Sequence, residues 1–147
     1  MMVLRIAICV LLTVSTATAM SCVTPSLEYI YKEAEASEHT YYIADGYFKF
    51  DMSEQQGDSA TLMKDGTRLA ARFVGKRLGA TGFTVKFDEA VTVAIHCNGF
   101  TCGGMNSAER QIVFLRKDGD KLVFDAQPCG YWSLSVDGRG FNRDERD

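Results

Sequence analysis

From Tyr41 onward, apolar residues recur at every second position in at least five separate runs. That period places alternate side chains on opposite faces, so each run predicts a strand with one dry face and one wet face. Phe48, Phe50 and Met52 share one side of residues 47–52, opposite Lys49 and Asp51. Leu69, Ala71 and Phe73 oppose Arg68 and Arg72. Phe83, Val85 and Phe87 oppose Thr84, Lys86 and Asp88, and Val91, Val93, Ile95 and Cys97 oppose Thr92, Ala94 and His96. Gln111 to Arg116 is a more continuous apolar run, and Leu122 and Phe124 alternate with Lys121 and Asp125. The links are short. Asp65-Gly66 and Asp118-Gly119 are tight-turn dipeptides, and Asp88-Glu89-Ala90 joins two of the runs. Five or six strands with such links predict a mainly β chain, an antiparallel meander or small barrel.

One stretch has a helical period instead. Leu27, Ile30, Tyr31 and Ala34 fall on one face of Ser26 to Ser37, with Ser26 as the cap. A helix this short is not stable alone, so three or four of those side chains are expected to be buried against another part of the protein.

The first residues read as a secretory leader over 1–19: Arg5, an apolar run from Ile6 to Val14, and the small-residue site Ala17-Thr18-Ala19. The run is too short to span a bilayer, and no later stretch approaches the necessary length. Its removal would leave 128 of the 147 residues, a single domain over 20–136 with a charged tail over 137–147 and a polar loop over 53–59. The expected location is the periplasm or the secreted space. Loss of Arg5 would move the net charge from -3 to -4, which gives no electrostatic reason to bind nucleic acid or anionic lipid.

The leader also takes Cys9 with it. Cys22, Cys97, Cys102 and Cys129 remain, an even set that predicts disulfides in an oxidising compartment. Other uses of these sulfurs fit less well. A zinc site with His96 would match no common ligand spacing, and His96 and Cys97 point to opposite faces of a strand. Lipid on Cys22 would want Leu where Ala19 stands and would leave three cysteines. No Gly-x-Ser-x-Gly elbow or phosphate loop is present, and the two histidines are His39 and His96. The chain is therefore read as having no metal, no cofactor and no catalytic residues. The alternatives are a secreted thiol-dependent enzyme or redox protein using Cys97 or Cys102, or a cell-envelope accessory protein. Phe100, Tyr131 and Trp132 lie near the cysteines and are expected to pack against the disulfides.

The segment Met20-Ser21-Cys22-Val23-Thr24-Pro25 resembles the Cys-x-Cys-x-Pro opening of the netrin-like domains, the group that contains the tissue inhibitors of metalloproteinases. Phe73-Val74-Gly75-Lys76 is similar to that family's aromatic-x-Gly strand end. Thr101-Cys102-Gly103, the strand from Gln111 to Lys117, Asp118-Gly119 and Cys129 follow its Cys-Gly, strand, Gly-turn and Cys order. The likeness covers most of the mature chain. It implies an OB-type barrel of five strands and a Cys22–Cys129 bridge, which leaves Cys97 and Cys102 to close a short loop. Met20 stands where the family has its first cysteine, so one family disulfide is missing, and Cys97 has no counterpart. The likeness further implies a monomeric interaction module with a protein partner, at its sharpest a metalloprotease. In that family the N-terminal amine and first carbonyl chelate the protease zinc, a role that would fall here to Met20, followed by Ser21 and Cys22.

Overall fold

The computed structural model describes residues 22–23, 25–50, 64–105 and 107–136. The expected leader over 1–19, Met20, Ser21, the loop over 53–59 and the tail over 137–147 lie outside them. The described chain is one helix, α1 (Leu27–Ala36), followed by strands β1 (Tyr41–Lys49), β2 (Arg68–Gly79) and β3 (Gly82–Ile95). The short pair β4 (Cys97–Asn98) and β5 (Thr101–Cys102) comes next, then β6 (Gln111–Asp118), β7 (Lys121–Ala126), a 3-10 turn at Pro128–Gly130, and β8 (Ser133–Ser135).

Five strands close into a barrel in the order β1-β2-β3-β7-β6 and back to β1. This is the small barrel with one N-terminal helix that the alternation predicts, with one correction to the antiparallel expectation. β3 and β7 run parallel, with Val91 opposite Leu122 and Ile95 opposite Ala126. The reason is topological. A closed ring with an odd number of strands cannot alternate direction all the way round, so one neighbouring pair must agree.

β1 supplies the other half of the closure. It pairs with β6 through Tyr41–Gly46 and with β2 through Ala44–Lys49. The crossover falls where Gly46 faces Gly75. A methyl group on either glycine would overlap backbone atoms of the other strand. Bare backbone is what lets the two strands approach closely enough for β1 to turn from one partner to the other.

Inside, Phe48 meets Phe73 edge-on at 5.0 Å between centroids and Phe124 at 5.1 Å. Ala44, Val93, Ile95, Val113, Leu115 and Ala126 fill the rest, all buried. Ile30, Ala94, Phe114 and Val123 are also buried but lie outside this interior cluster. Phe114 and Val123 alternate with Val113, Leu115 and Phe124 along their strands, so they face outward and are covered from outside. Trp132 provides part of that cover, 6.1 Å from Phe114 and stacked on Tyr41 at 4.9 Å. A strand buried on both faces loses strict alternation, which is why 111–116 reads as a continuous apolar run.

The helix starts at Ser26, whose side chain accepts from the Tyr29 amide at 3.2 Å. Glu28 and Lys32 pair one turn apart. Ile30 is its single buried residue, while Leu27 and Tyr31 are exposed, so fewer apolar side chains are used than its period predicts. The helix is held instead at its start, where Tyr29 meets Tyr131 edge-on at 6.2 Å. Burial, the hydrogen bond to Tyr29 and the nearby charge of Glu33 push the Tyr131 hydroxyl up to about 12.

Two further expectations change. Asp88-Glu89-Ala90 is not a link, because β3 runs unbroken through it. The inward parity of Phe87 carries on through Glu89 to Val91, and Asp88 on the other face pairs with Arg72 of β2. Val85, expected inside, is exposed because the β2–β3 hairpin continues past the start of β7. β8 is too short to leave a period in the sequence. It adds to β6 at Gln111–Val113, where β7 pairs only with Arg116–Asp118.

Phe73 is fully buried at the centre of the aromatic cluster. Phe73→Ala should lower stability by about 3–5 kcal/mol, the range for truncating a core aromatic. Urea unfolding followed by tryptophan fluorescence measures it, and a loss under about 1 kcal/mol would place Phe73 outside the core.

Candidate functional site

The barrel has two distinct ends. β3 and β7 finish at the upper end, beside the starts of β2 and β6. The β2–β3 and β6–β7 hairpins turn at the lower end. Both disulfides lie at the upper end, and so do most of the residues singled out from the sequence.

The structure joins Cys22 to Cys129, with 5.2 Å between Cα atoms, and Cys97 to Cys102, with 3.9 Å. Cys129 follows the end of β7 by three residues, so the first bridge clamps the N-terminal segment beside the barrel's closing strand. Cys97 and Cys102 face each other across the β4–β5 pair, and both pack against the top of the interior cluster. A zinc site with His96 would need Cys97, Cys102 and Cys129 as thiolates, and all three sulfurs are in disulfides.

Three hydrogen bonds fix this hairpin to the barrel. The Cys97 amide donates to the Asp65 carboxylate at 2.9 Å, which gives the Asp65-Gly66 turn a second role. The His96 amide donates to the Ala126 carbonyl at 2.9 Å, and the Gly103 amide to the His96 carbonyl at 2.8 Å. Gly103 is buried so tightly on Ala126 that a methyl group there would overlap its carbonyl. The hairpin base therefore rests on the same stretch of chain, 126–127, that leads to the Cys22 clamp.

The tip carries Phe100, which is fully exposed. This overturns the expectation that Phe100 packs against a disulfide. The two bridged cysteines occupy the hairpin base and point into the barrel, which leaves the ring two residues away with nothing beneath it. Tyr131 and Trp132 do pack, but on each other at 5.1 Å and on Tyr29, Tyr41 and Phe114. Val23, next to the Cys22 clamp, is a second strongly exposed apolar side chain at this end.

A polar row runs along the outer wall just below. His96 Nε2 and Asp125 Oδ1 are 3.1 Å apart, and Arg116 Nε donates to Asp125 Oδ2 at 2.8 Å. Burial acts most strongly on the Asp125 carboxyl and would raise its pKa. The Arg116 guanidinium and then His96 outweigh it and hold the group below the usual carboxylate range. Arg116 is shifted up by the same bond. His96 is thus tethered beside the hairpin, facing away from the disulfide. His39 lies exposed just beyond α1, near the lower end, and the structure does not bring it to this site.

Arg116 and Asp125 carry no mark in the sequence that separates them from ordinary wet-face residues. Their pairing depends on β6 and β7 lying side by side. The available sign is that Asp125 sits between Phe124 and Ala126, a charge in an otherwise apolar strand end.

No protein-family model, curated protein or solved structure matches the chain.

Asp125→Asn should cost about 1–3 kcal/mol at neutral pH, the scale of a hydrogen bond to a charged group. Because the folded pKa is depressed, this stabilisation is complete above the ordinary value of 3.8 and is lost as pH falls through the folded value. Chemical denaturation across pH 7 to 2 should show wild type and variant converging at the acid end, and a constant gap would contradict the assignment. Removing the Cys22–Cys129 bridge by paired serine substitutions frees a closed loop with a sequence separation of 107. It should cost about 4–5 kcal/mol in the chain-entropy picture, read from the shift in urea midpoint.

Proposed function

We propose that the protein is an exported, disulfide-stabilised interaction module that engages a protein partner through the upper end of its barrel. The observation that carries this reading is Phe100, a fully exposed aromatic at the tip of a hairpin locked at its base by Cys97–Cys102. A protruding ring on a backbone already held in place costs little backbone ordering on docking, and aromatic anchors dominate the energetics of protein interfaces. The bridge, the Asp65 carboxylate and the tight Gly103 contact all hold the hairpin in place before any partner arrives.

Export is supported by the pairing of every cysteine among the described residues. Also among the described residues, no helix is long and apolar enough to cross a membrane.

The narrower form of the proposal is inhibition of a zinc protease. The Cys22–Cys129 clamp supports it by fixing the chain that follows Met20 and Ser21 beside the hairpin base. Val23 and Phe100 then offer apolar contacts at the same end. A chelating amine at Met20 would have a rigid platform behind it, although the family's first bridge is absent.

Two measurements test this. Added to a panel of zinc proteases, the mature protein should slow at least one, and one extra residue before Met20 should abolish the effect. Phe100→Ser should weaken that inhibition about thirtyfold, the equivalent of a 2 kcal/mol hot spot. If no protease is slowed, the inhibitor form falls. The broader form is tested by a photo-crosslinking residue at position 100, with a probe at Glu35 on the exposed helix as control. A discrete protein adduct at 100 alone is expected, and equal yields at the two positions would refute the upper end as the docking edge. The competing thiol-enzyme reading needs a free sulfur, so thiol titration of the native mature protein should find none.

A further inference from the structure

A second site lies at the opposite end. Beyond Val91, β3 continues downward past the start of β7, and the β2–β3 hairpin stands apart from the β6–β7 hairpin. The gap is a cleft of about 440 Å³, a size that suits a small molecule. Its apolar lining includes Phe87, which is 5 % exposed, together with Tyr42, half-buried Leu122 and the open side chain of Val85. Phe87 and Tyr42 meet edge-on at 6.4 Å, so that part of the lining is fixed.

Its lining also holds four cations: Arg77, Lys86, Lys117 and Lys121. Glu89 and Asp120 are the carboxylates of the same lining, which leaves two formal positive charges in a chain whose net charge is -3. Among the described residues, none of the four cations forms an ion pair. Elsewhere on the barrel Arg72, Arg110 and Arg116 are each committed to an aspartate. Arg77 instead lies over the Tyr42 ring at 4.9 Å, a stacking that leaves the edge of its guanidinium open to an acceptor.

We infer that this lower cleft binds a small phosphate monoester carrying a planar apolar group. A doubly charged tetrahedral anion matches the surplus of two charges. It can also accept from the fork of Arg77 and from lysine ammoniums arriving from the other hairpin. The apolar group would lie against Phe87 and Tyr42. The site is independent of the protein partner proposed for the upper end, since the two share no residue.

The test uses the full mature protein with its disulfides intact and phenyl phosphate as probe. Amide resonances are followed by NMR. Saturable shifts are expected in 84–89 and 117–122, with a millimolar or tighter dissociation constant. Phenyl sulfate, with one charge, should bind several-fold more weakly, and phenol should not bind. Lys86→Glu and Lys117→Glu should each weaken phenyl phosphate at least about tenfold, the scale of one lost charged contact. Both side chains are exposed, and an unchanged thermal midpoint confirms that each variant folds. Glu89→Gln should tighten binding, and Phe100→Ser should leave it unchanged. The inference is overturned if shifts fail to saturate, if they scatter over the surface, if phenol or phenyl sulfate matches phenyl phosphate, or if the lysine variants bind as wild type does.

Discussion

The parallel seam between β3 and β7 is the contact on which the rest of this structure depends. It closes the ring, because the fifth strand has nowhere else to pair. It also brings the ends of two strands side by side, so that His96 sits against Ala126 and Asp125. The hairpin of residues 97–102 and the segment leading to Cys129 then leave the barrel from adjacent points. The His96–Asp125 contact and the seating of the hairpin base on Ala126, beside the segment that leads to Cys129, follow from that one adjacency. In an open sheet β3 and β7 would lie on separate edges and those two contacts would be lost, while Arg116–Asp125 and Cys97–Cys102 stay within their own hairpins.

The covalent bridges act on different parts of this arrangement. Cys22–Cys129 ties together positions far apart in sequence, and its main effect is on the unfolded chain, where it removes many extended conformations. Cys97–Cys102 spans a short hairpin, where loop closure contributes less. Its place over the interior cluster gives it another role, as a plug that keeps water from the upper core while fixing the direction in which the tip projects. Stability and presentation are thus assigned to separate bonds.

The distribution of charge separates the two ends in the same way. At the upper end Arg110 holds Asp45, and Arg116 holds Asp125. The exposed apolar side chains of Val23 and Phe100 stand at the same end. Among the described residues, the basic groups lining the partly apolar cleft at the lower end form no ion pair. Paired charges lose most of their attraction for a further ligand, so an acidic chain can keep a local anion site only where its own carboxylates are engaged elsewhere. Asp88, which shares a face of β3 with Lys86, is engaged with Arg72.

The sequence by itself determined the elements: the two-residue period over β1, β2, β3 and β7, the turn at Asp118-Gly119, and the capped helix at Ser26. Each is a local matter of alternation, backbone freedom or a side chain reaching its own amide. The even cysteine set was equally legible, because oxidation state depends on number and compartment more than on shape. What only the tertiary structure decided was neighbourhood. That β3 and β7 run parallel, that Asp125 finds Arg116 and His96, that Phe100 stands clear while Trp132 is covered, and that residues of two hairpins line one cleft all depend on which strands lie side by side. A strand's period reports which face is dry. It carries no record of its partner, since pairing is made by backbone groups that every residue shares.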